Sequence, residues 1–239
     1  MQQIELNSVK HDFRTNEAFK TLRTNIEFAG EDIQVIGITS ATPNEGKSTV
    51  SFELARSFAE SGKRTLLIDA DLRKSVMRSR HKIGRVRYGL TNVLVKKVDI
   101  EDAICETDIE DFHMIFAGPV PPNPSELLGG KSFKRMIEYG RENYDMVVID
   151  APPIGSVIDA AVISKKCDGM MIVIETGIIS YRFARKVVEQ LRVADAKILG
   201  VILNKMNLTG KGYYGKYYSR YYGKYYSKYY GKYYGSESE

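Results

Sequence analysis

Six short apolar runs punctuate the chain at 35–39, 65–69, 114–116, 146–150, 170–175 and 198–204, with helical patterns between them. Apolar runs bounded by polar residues predict strands buried on both faces, and helices between successive strands predict a parallel sheet. The segment 47–61 places Phe52, Ala55 and Phe58 on one helical face, and Gly62 is positioned to end it. An earlier helix carries Phe19, Leu22 and Ile26 at the same spacing, with Asn16 as its expected N-cap. Ser132 is the expected cap of another, which runs through Met136 and Ile137 to Asn143. The fold class is therefore α/β, a parallel sheet covered by helices on both faces.

Two segments resist a regular assignment. Residues 73–87 are basic with few apolar positions, which predicts a surface excursion or mobile loop, and residues 118–124 hold too much proline for helix or inner strand. From about residue 207 the composition changes abruptly to Tyr, Gly, Lys and Ser, with no aliphatic residue after Leu208. A segment with nothing aliphatic to bury predicts disorder. The expected organisation is one domain over 1–206 and a disordered tail over 207–239.

Twelve of the sixteen tyrosines lie in that tail as six pairs repeating every four residues: Tyr213, Tyr214, Tyr217, Tyr218, Tyr221, Tyr222, Tyr225, Tyr226, Tyr229, Tyr230, Tyr233 and Tyr234. The tail also holds most of the formal charge of +5. Six basic and two acidic residues from Lys211 onward give +4 and leave +1 for the body. A nearly neutral body argues against a dedicated nucleic-acid binder. No apolar run is long enough to span a bilayer and the N-terminus lacks a secretory pattern, so a cytoplasmic protein without membrane insertion is expected. Cys105 and Cys167 are far apart and lack a CxxC partner, which suits packing in a reducing compartment and disfavours a disulfide or metal framework. His11, His81 and His113 are isolated and suggest surface or packing residues.

The candidate chemistry begins at ATPNEGKS (41–48), between a strand-like run and a helical one. Such a loop can cradle phosphates on the backbone N–H groups of Glu45, Gly46, Lys47, Ser48 and Thr49, with Asn44 in the same turn. Lys47 would neutralise β and γ oxygens, and Ser48 would ligate Mg²⁺. Ala41 stands where the general pattern has its first glycine, and its Cβ restricts the turn. Asp69 and Asp150 end apolar runs and Asp71 follows two residues on, so all three acids are expected at the carboxyl edge of the sheet beside the loop.

The set SATPNEGKST, LLIDADLR and MVVIDAPP, with GPVPPNPSELL and a terminal tyrosine cluster, resembles the cytoplasmic domain of bacterial tyrosine kinases of capsule and exopolysaccharide systems. The resemblance implies a P-loop NTPase fold with Walker A, A′ and B motifs, and ATP and Mg²⁺ at the site. It implies catalysis by Lys47, Asp69 and Asp71, a metal site at Ser48, Asp71 and Asp150, and Asp69 as the base facing the incoming tyrosine. Asn204 would sit near adenine, and the tail tyrosines would be phosphoacceptors. Glu17, Lys20 and Arg23 match a family motif that builds a homo-oligomeric ring, with lysine replacing the middle arginine. Lysine cannot make the planar fork, so weaker assembly is expected. The sequence DLRKSV also departs from the family, which tends to have proline at the position of Ser75. Implied partners are a membrane-anchored activator, which would recruit the protein to the inner face of the membrane, and a cognate tyrosine phosphatase.

As a flexible coil, residues 212–234 span on the order of 25–30 Å, and roughly 75–80 Å when stretched. A body this size has a radius of gyration of about 17 Å, so the tyrosines can reach their own site or a neighbour's. Roughly two or three phosphates would cancel the tail's charge. That sign change is expected to release the tail from an acidic active-site rim. Three alternatives use other features. A partition or positioning ATPase of the ParA/MinD type would carry a signature lysine early in the loop, where Thr42, Pro43 and Asn44 stand here. A metallochaperone would need paired cysteines, and an ATP-controlled scaffold would bind nucleotide without forming phosphotyrosine.

Overall fold

The computed structural model describes residues 1–6, 12–30 and 32–206. It divides the chain into two units, Met1–Asn204 and Lys205–Glu239. The tyrosine repeat, the disorder expected of it and His11 lie outside the described residues.

The first unit opens with strand β1 (Gln2–Ile4), helix α1 (Phe13–Phe28), strand β2 (Val35–Ser40) and helix α2 (Lys47–Ala59). Strand β3 (Thr65–Asp69) leads to the short helices α3 (Met77–Arg80), α4 (Leu90–Leu94) and α5 (Ile100–Ala103). Strands β4 (Cys105–Thr107) and β5 (Phe112–Ile115) precede helices α6 (Pro124–Gly129) and α7 (Lys131–Asn143). Strand β6 (Met146–Asp150), helix α8 (Asp159–Ser164), strand β7 (Gly169–Glu175), helix α9 (Tyr181–Val193) and strand β8 (Ile198–Asn204) complete it.

The eight strands form one sheet in the order β1-β4-β5-β3-β6-β2-β7-β8. Its pairings are parallel except β4 with β5, an antiparallel step near one edge that the expectation of a wholly parallel sheet missed. Alternate residues of the central strands feed two cores. Val35, Leu66, Ile68, Val147 and Ile149 face one side, where Phe133, Met136, Ile163 and Leu191 cover them. Ile36, Ile38, Leu67, Val148 and Val173 face the other, under Phe52, Ala55 and Phe58 of α2. Because both faces are buried, these strands show as apolar runs without polar alternation. The α/β fold with helices on both faces is the one expected.

Several boundaries differ for local reasons. Helix α1 is capped by Asp12, whose carboxylate accepts from the Thr15 amide at 2.9 Å, so Asn16 lies inside the helix. An aspartate one turn earlier satisfies the same orphan amides, and the apolar spacing alone could not distinguish the two. Gly130 ends α6 and starts α7, placing Ser132 in the first turn. Gly62 adopts φ +84° just beyond α2 and closes it by donating to the Ala59 carbonyl at 2.8 Å. Cys105 is buried and the Cys167 thiol lies 3.5 Å from the Ile163 carbonyl, as packing residues should. Among the described residues, no helix is long and apolar enough to cross a membrane.

Asp168 joins three segments just before β7. Its carboxylate accepts from the amides of Gln34 and Val35 at 2.9 and 2.7 Å, and takes two bonds from Arg141 at 2.9 and 2.6 Å. Burial pushes its carboxyl upward, but Arg141 and the two amides outweigh it and hold the group below the usual carboxylate range. A depressed pKa stabilises the fold above the unfolded value near 4, and that contribution is lost as pH falls through the folded value. Asp168→Asn is therefore expected to destabilise the protein by about 2 kcal/mol at neutral pH. Urea titrations at pH 7 and pH 3 should show the difference from wild type shrinking at the lower pH.

Candidate active site

Strands β2, β3 and β6 are neighbours in the sheet, and their carboxyl ends deliver the expected chemistry to one place. Asp69 and Asp150 are register partners at the ends of β3 and β6. The loop after β2 turns sharply into α2 through two left-handed residues, Asn44 at φ 68° and Gly46 at φ 92°. Asparagine tolerates this conformation and glycine has no Cβ to oppose it. Ala41 adopts no such angle and is fully buried in the core, so its Cβ does not strain the turn. First-turn amides of a helix lack carbonyls one turn back and make an anion-binding end.

Lys47 lies at that end. Its Nζ is 3.2 Å from Asp71 Oδ2, 3.4 Å from Asp150 Oδ2 and 3.2 Å from Ser48 Oγ. The Ser51 hydroxyl meets Asp150 Oδ1 at 3.1 Å and the Lys47 carbonyl at 2.9 Å. Asp69 stands behind Asp71, accepting from its amide at 3.3 Å and from the Ser75 hydroxyl. Ser75 thus supplies a partner to the expected base. All three carboxylates and the ammonium are buried, with Asp69 at 1% exposure and Lys47 at 8%.

Three carboxylates face one ammonium. Burial, followed by the Asp150 charge, pushes Asp69 up to about 7, against the opposing influence of Ser75 and Lys47. Burial would lower Lys47, but Asp150, Asp71 and Asp69 outweigh it and raise its pKa. The unbalanced negative charge fits a divalent cation. Among the described residues, no three His, Cys, Asp or Glu side chains are grouped to hold a metal by themselves. Two carboxylates beside a phosphate loop fit Mg²⁺, which binds through one or two carboxylates and completes its shell with phosphate oxygens and water.

Other expected residues take different places. The Asn204 amide donates to the Glu45 carbonyl at 2.9 Å, and a Cβ on Gly46 would lie 2.2 Å from its Nδ2. Asn204 therefore braces the loop from β8. The Glu45 side chain does the same from within, accepting from the amides of Thr42 at 2.7 Å and Glu175 at 3.3 Å. Thr49 Oγ1 is met by Arg80 of α3. On α1, Lys20 pairs with Glu17 at 2.8 Å, whereas Arg23 turns inward and donates to the Ser57 carbonyl of α2. The structure thus pairs Glu17 with Lys20 and turns the Arg23 guanidinium to the Ser57 carbonyl.

Sequence reasoning missed the anchoring of residues 73–87. Arg73 binds Asp159 with Nε at 2.7 Å and Nη2 at 3.1 Å, and donates to Ser125 at 3.0 Å. Burial would raise the Asp159 carboxyl, but Arg73 and Ser125 hold it below its ordinary value. Further along, Met77 is fully buried, Ile83 nearly so, and the His81 ring stacks on Phe52 with centroids 3.7 Å apart. Burial and Arg80 keep His81 low, at about 4. Between these anchors the segment displays arginines along a cavity of about 680 Å³ that shares Asp71 and Ser75 with the site. The rim there is basic, contrary to the acidic one expected, because Arg73, Lys74, Arg78, Arg87 and Lys97 line it.

Comparisons with known proteins agree with this geometry. A family model described as an AAA domain, AAA_31, matches residues 33–200. The chain is 44% identical over 206 residues to the tyrosine-protein kinase CpsD of Streptococcus agalactiae, covering 85% of this chain and 90% of that protein. Among solved structures, the chimerical protein CapA2B2 superposes with a TM-score of 0.76 at 36% identity, over 80% of this chain and 84% of that one. The septum site-determining protein MinD of Pyrococcus horikoshii, solved with Mg-ADP, gives 0.62 at 26% identity, over 75% of this chain and 72% of that one.

Proposed function

Because the chain belongs to the bacterial tyrosine kinases, we propose that it transfers the γ-phosphoryl group of ATP to tyrosines of its own repeat or of a neighbouring copy's. The observation that carries this is the convergence of Lys47 with Asp71 and Asp150 at 3.2 and 3.4 Å, with Asp69 beside them on the next strand end.

In this reading Lys47 exchanges its carboxylate partners for β and γ phosphate oxygens, while the first-turn amides of α2 and Asn44 to Thr49 hold the phosphate chain. A magnesium ion held by Ser48, Asp71 and Asp150 would supply charge neutralisation on the phosphates. A tyrosine Oη attacks the γ phosphorus, the bond to the β–γ bridging oxygen breaks, and the electron pair leaves on ADP. Asp69 accepts the phenolic proton. Phosphoryl transfer through a loose transition state depends mostly on positioning and charge, so a carboxylate poised near neutral pH suffices as base. Asn204 bears on the nucleotide by holding the loop. Glu17, Lys20 and Arg23 form one side of an oligomer contact in this proposal, with Arg23 released from Ser57 on assembly. A membrane-anchored activator and a tyrosine phosphatase complete the cycle, which regulates capsular or extracellular polysaccharide synthesis.

The test is the intact mass of the full chain after incubation with Mg-ATP, alone and with the cytoplasmic peptide of a candidate activator. Successive additions of phosphate on tyrosine are expected, and a chain truncated after Leu208 should acquire none of them. Nucleotide turnover or dimerisation without phosphotyrosine under either condition would instead favour a positioning ATPase, the activity for which MinD is the structural precedent.

A further inference from the structure

We propose that the basic cavity beside the carboxylates is a phosphotyrosine subsite, which favours acceptor segments already phosphorylated near the reacting tyrosine. The proposal rests on the kinase reading and assigns that site a preference among its substrates.

The cavity, about 680 Å³, lies between residues 71–79, residues 86–89 and the loop at 116–120. It is continuous with the reacting centre because two residues belong to both. Asp71 is 3.2 Å from Lys47, and Ser75 donates to Asp69. Five cations line the cavity, and Asp71, already engaged by Lys47, is the carboxylate among its lining residues. Arg73 is held by Asp159. Among the described residues, Lys74, Arg78, Arg87 and Lys97 have no carboxylate within ion-pair distance. Such a concentration of like charge is unfavourable unless an anion is expected there.

Several features match a phosphotyrosine and not merely any anion. Arginines provide the planar fork that binds phosphate oxygens in pairs. Val86, Tyr88 and Val120 give the same cavity an apolar wall against which an aromatic ring can rest. The backbone presenting the cations is fixed by buried Met77 and Ile83 and by the Arg73–Asp159 pair, so little order has to be created on binding. A cavity of this size is ample for one such side chain.

The repeat supplies the complementary chemistry. Its pairs recur every four residues among lysine, serine, glycine and arginine, so an unphosphorylated unit is cationic and repelled by the cavity. One phosphate adds about −1.5 to −2 charge and reverses that sign. Four residues of extended chain reach about 13–14 Å, so a phosphate bound in the cavity leaves the next pair free to approach the carboxylates. The rim therefore retains a partly phosphorylated segment, the opposite of release.

The test uses the full chain, phosphatase-treated, and two synthetic peptides of the sequence YYGKYYSR. One carries no phosphate and the other carries phosphotyrosine in its first pair. Fluorescence anisotropy without ATP should show the phosphorylated peptide binding about tenfold tighter or more, and Arg78→Ala with Arg87→Ala should abolish that preference. With Mg-ATP, kcat/KM should be higher for the phosphorylated peptide in wild type and equal for the two in the double variant, whose rate on the unphosphorylated peptide should not fall. Equal affinity for the two peptides in wild type, or a preference that survives in the double variant, overturns the subsite. Binding of phosphatidylglycerol vesicles that needs the same arginines, without a peptide preference, assigns the cavity to a membrane surface and also overturns it. A preference in binding with phosphorylation of neither peptide keeps the subsite and rejects the kinase reading.

Discussion

Asp69→Asn is expected to lower tyrosine phosphorylation by about 10²- to 10⁴-fold, the usual contribution of a general base, while making the nucleotide- and magnesium-free protein more stable. The two effects share one cause. Asp69 is 1% exposed, and burial together with the Asp150 charge pushes its pKa up to about 7. An unfolded aspartate titrates near 3.9, so the unfolded chain gives up this proton first. Stability from the neutral group is complete below about pH 4 and is lost as pH rises through about 7. Above that, an ionised carboxylate sits beside Asp71 and Asp150 with one lysine among them. Asparagine removes that charge and can still accept from Ser75. In EDTA at pH 8, Asp69→Asn should be more stable by on the order of 1–3 kcal/mol, a rise in Tm of several degrees, and at pH 4 the difference should vanish. A lower Tm at pH 8, or activity within tenfold of wild type, would contradict this account.

The same physics explains what was legible in the sequence. Central strands were plain because both faces are buried, leaving uninterrupted runs such as Met146–Asp150. The phosphate loop was plain because its residues are contiguous and bracketed by strand and helix. Strands β1 and β4 were not, since three residues each, QQI and CET, have no periodicity and owe their conformation to their pairing. Helix α9 went unassigned although Ser180 caps it through the Phe183 amide and Val187 and Leu191 repeat at helical spacing. Those signals were present and would have sufficed.

Within the site, the convergence of Asp69, Asp71 and Asp150 could be expected from strand ends alone, whereas their supports could not. Arg73 and Asp159 are 86 residues apart, and neither lies in a pattern that marks the other. Residues 73–87 looked like a loop because single anchors such as Met77 and Ile83 make no pattern. The sign of the rim followed from those anchors, which set Arg73, Lys74, Arg78 and Arg87 along the cavity that Asp71 also lines, and net charge could not reveal it.

Lys47→Met provides the complementary result, with activity falling in the same direction and stability in the other. Methionine keeps an unbranched stem and removes the ammonium, so phosphorylation should fall by at least about 10²- to 10³-fold as the charge facing the phosphates is lost. The carboxylates at 3.2 and 3.4 Å then remain buried with no cation, and breaking such a pair costs about 3–5 kcal/mol. The loss should be largest at pH 8 in EDTA and should shrink on acidification, which neutralises the carboxylates, or on adding magnesium, which replaces the missing charge. Because Asp69 and Lys47 act on one another, their substitutions should not add. In the double variant the removal of one carboxylate relieves a larger repulsion than it does in wild type, so Asp69→Asn should stabilise the Lys47→Met background more than the native one, without restoring activity. Strict additivity of the two changes in urea titrations at pH 8 would mean that these groups do not share one electrostatic site.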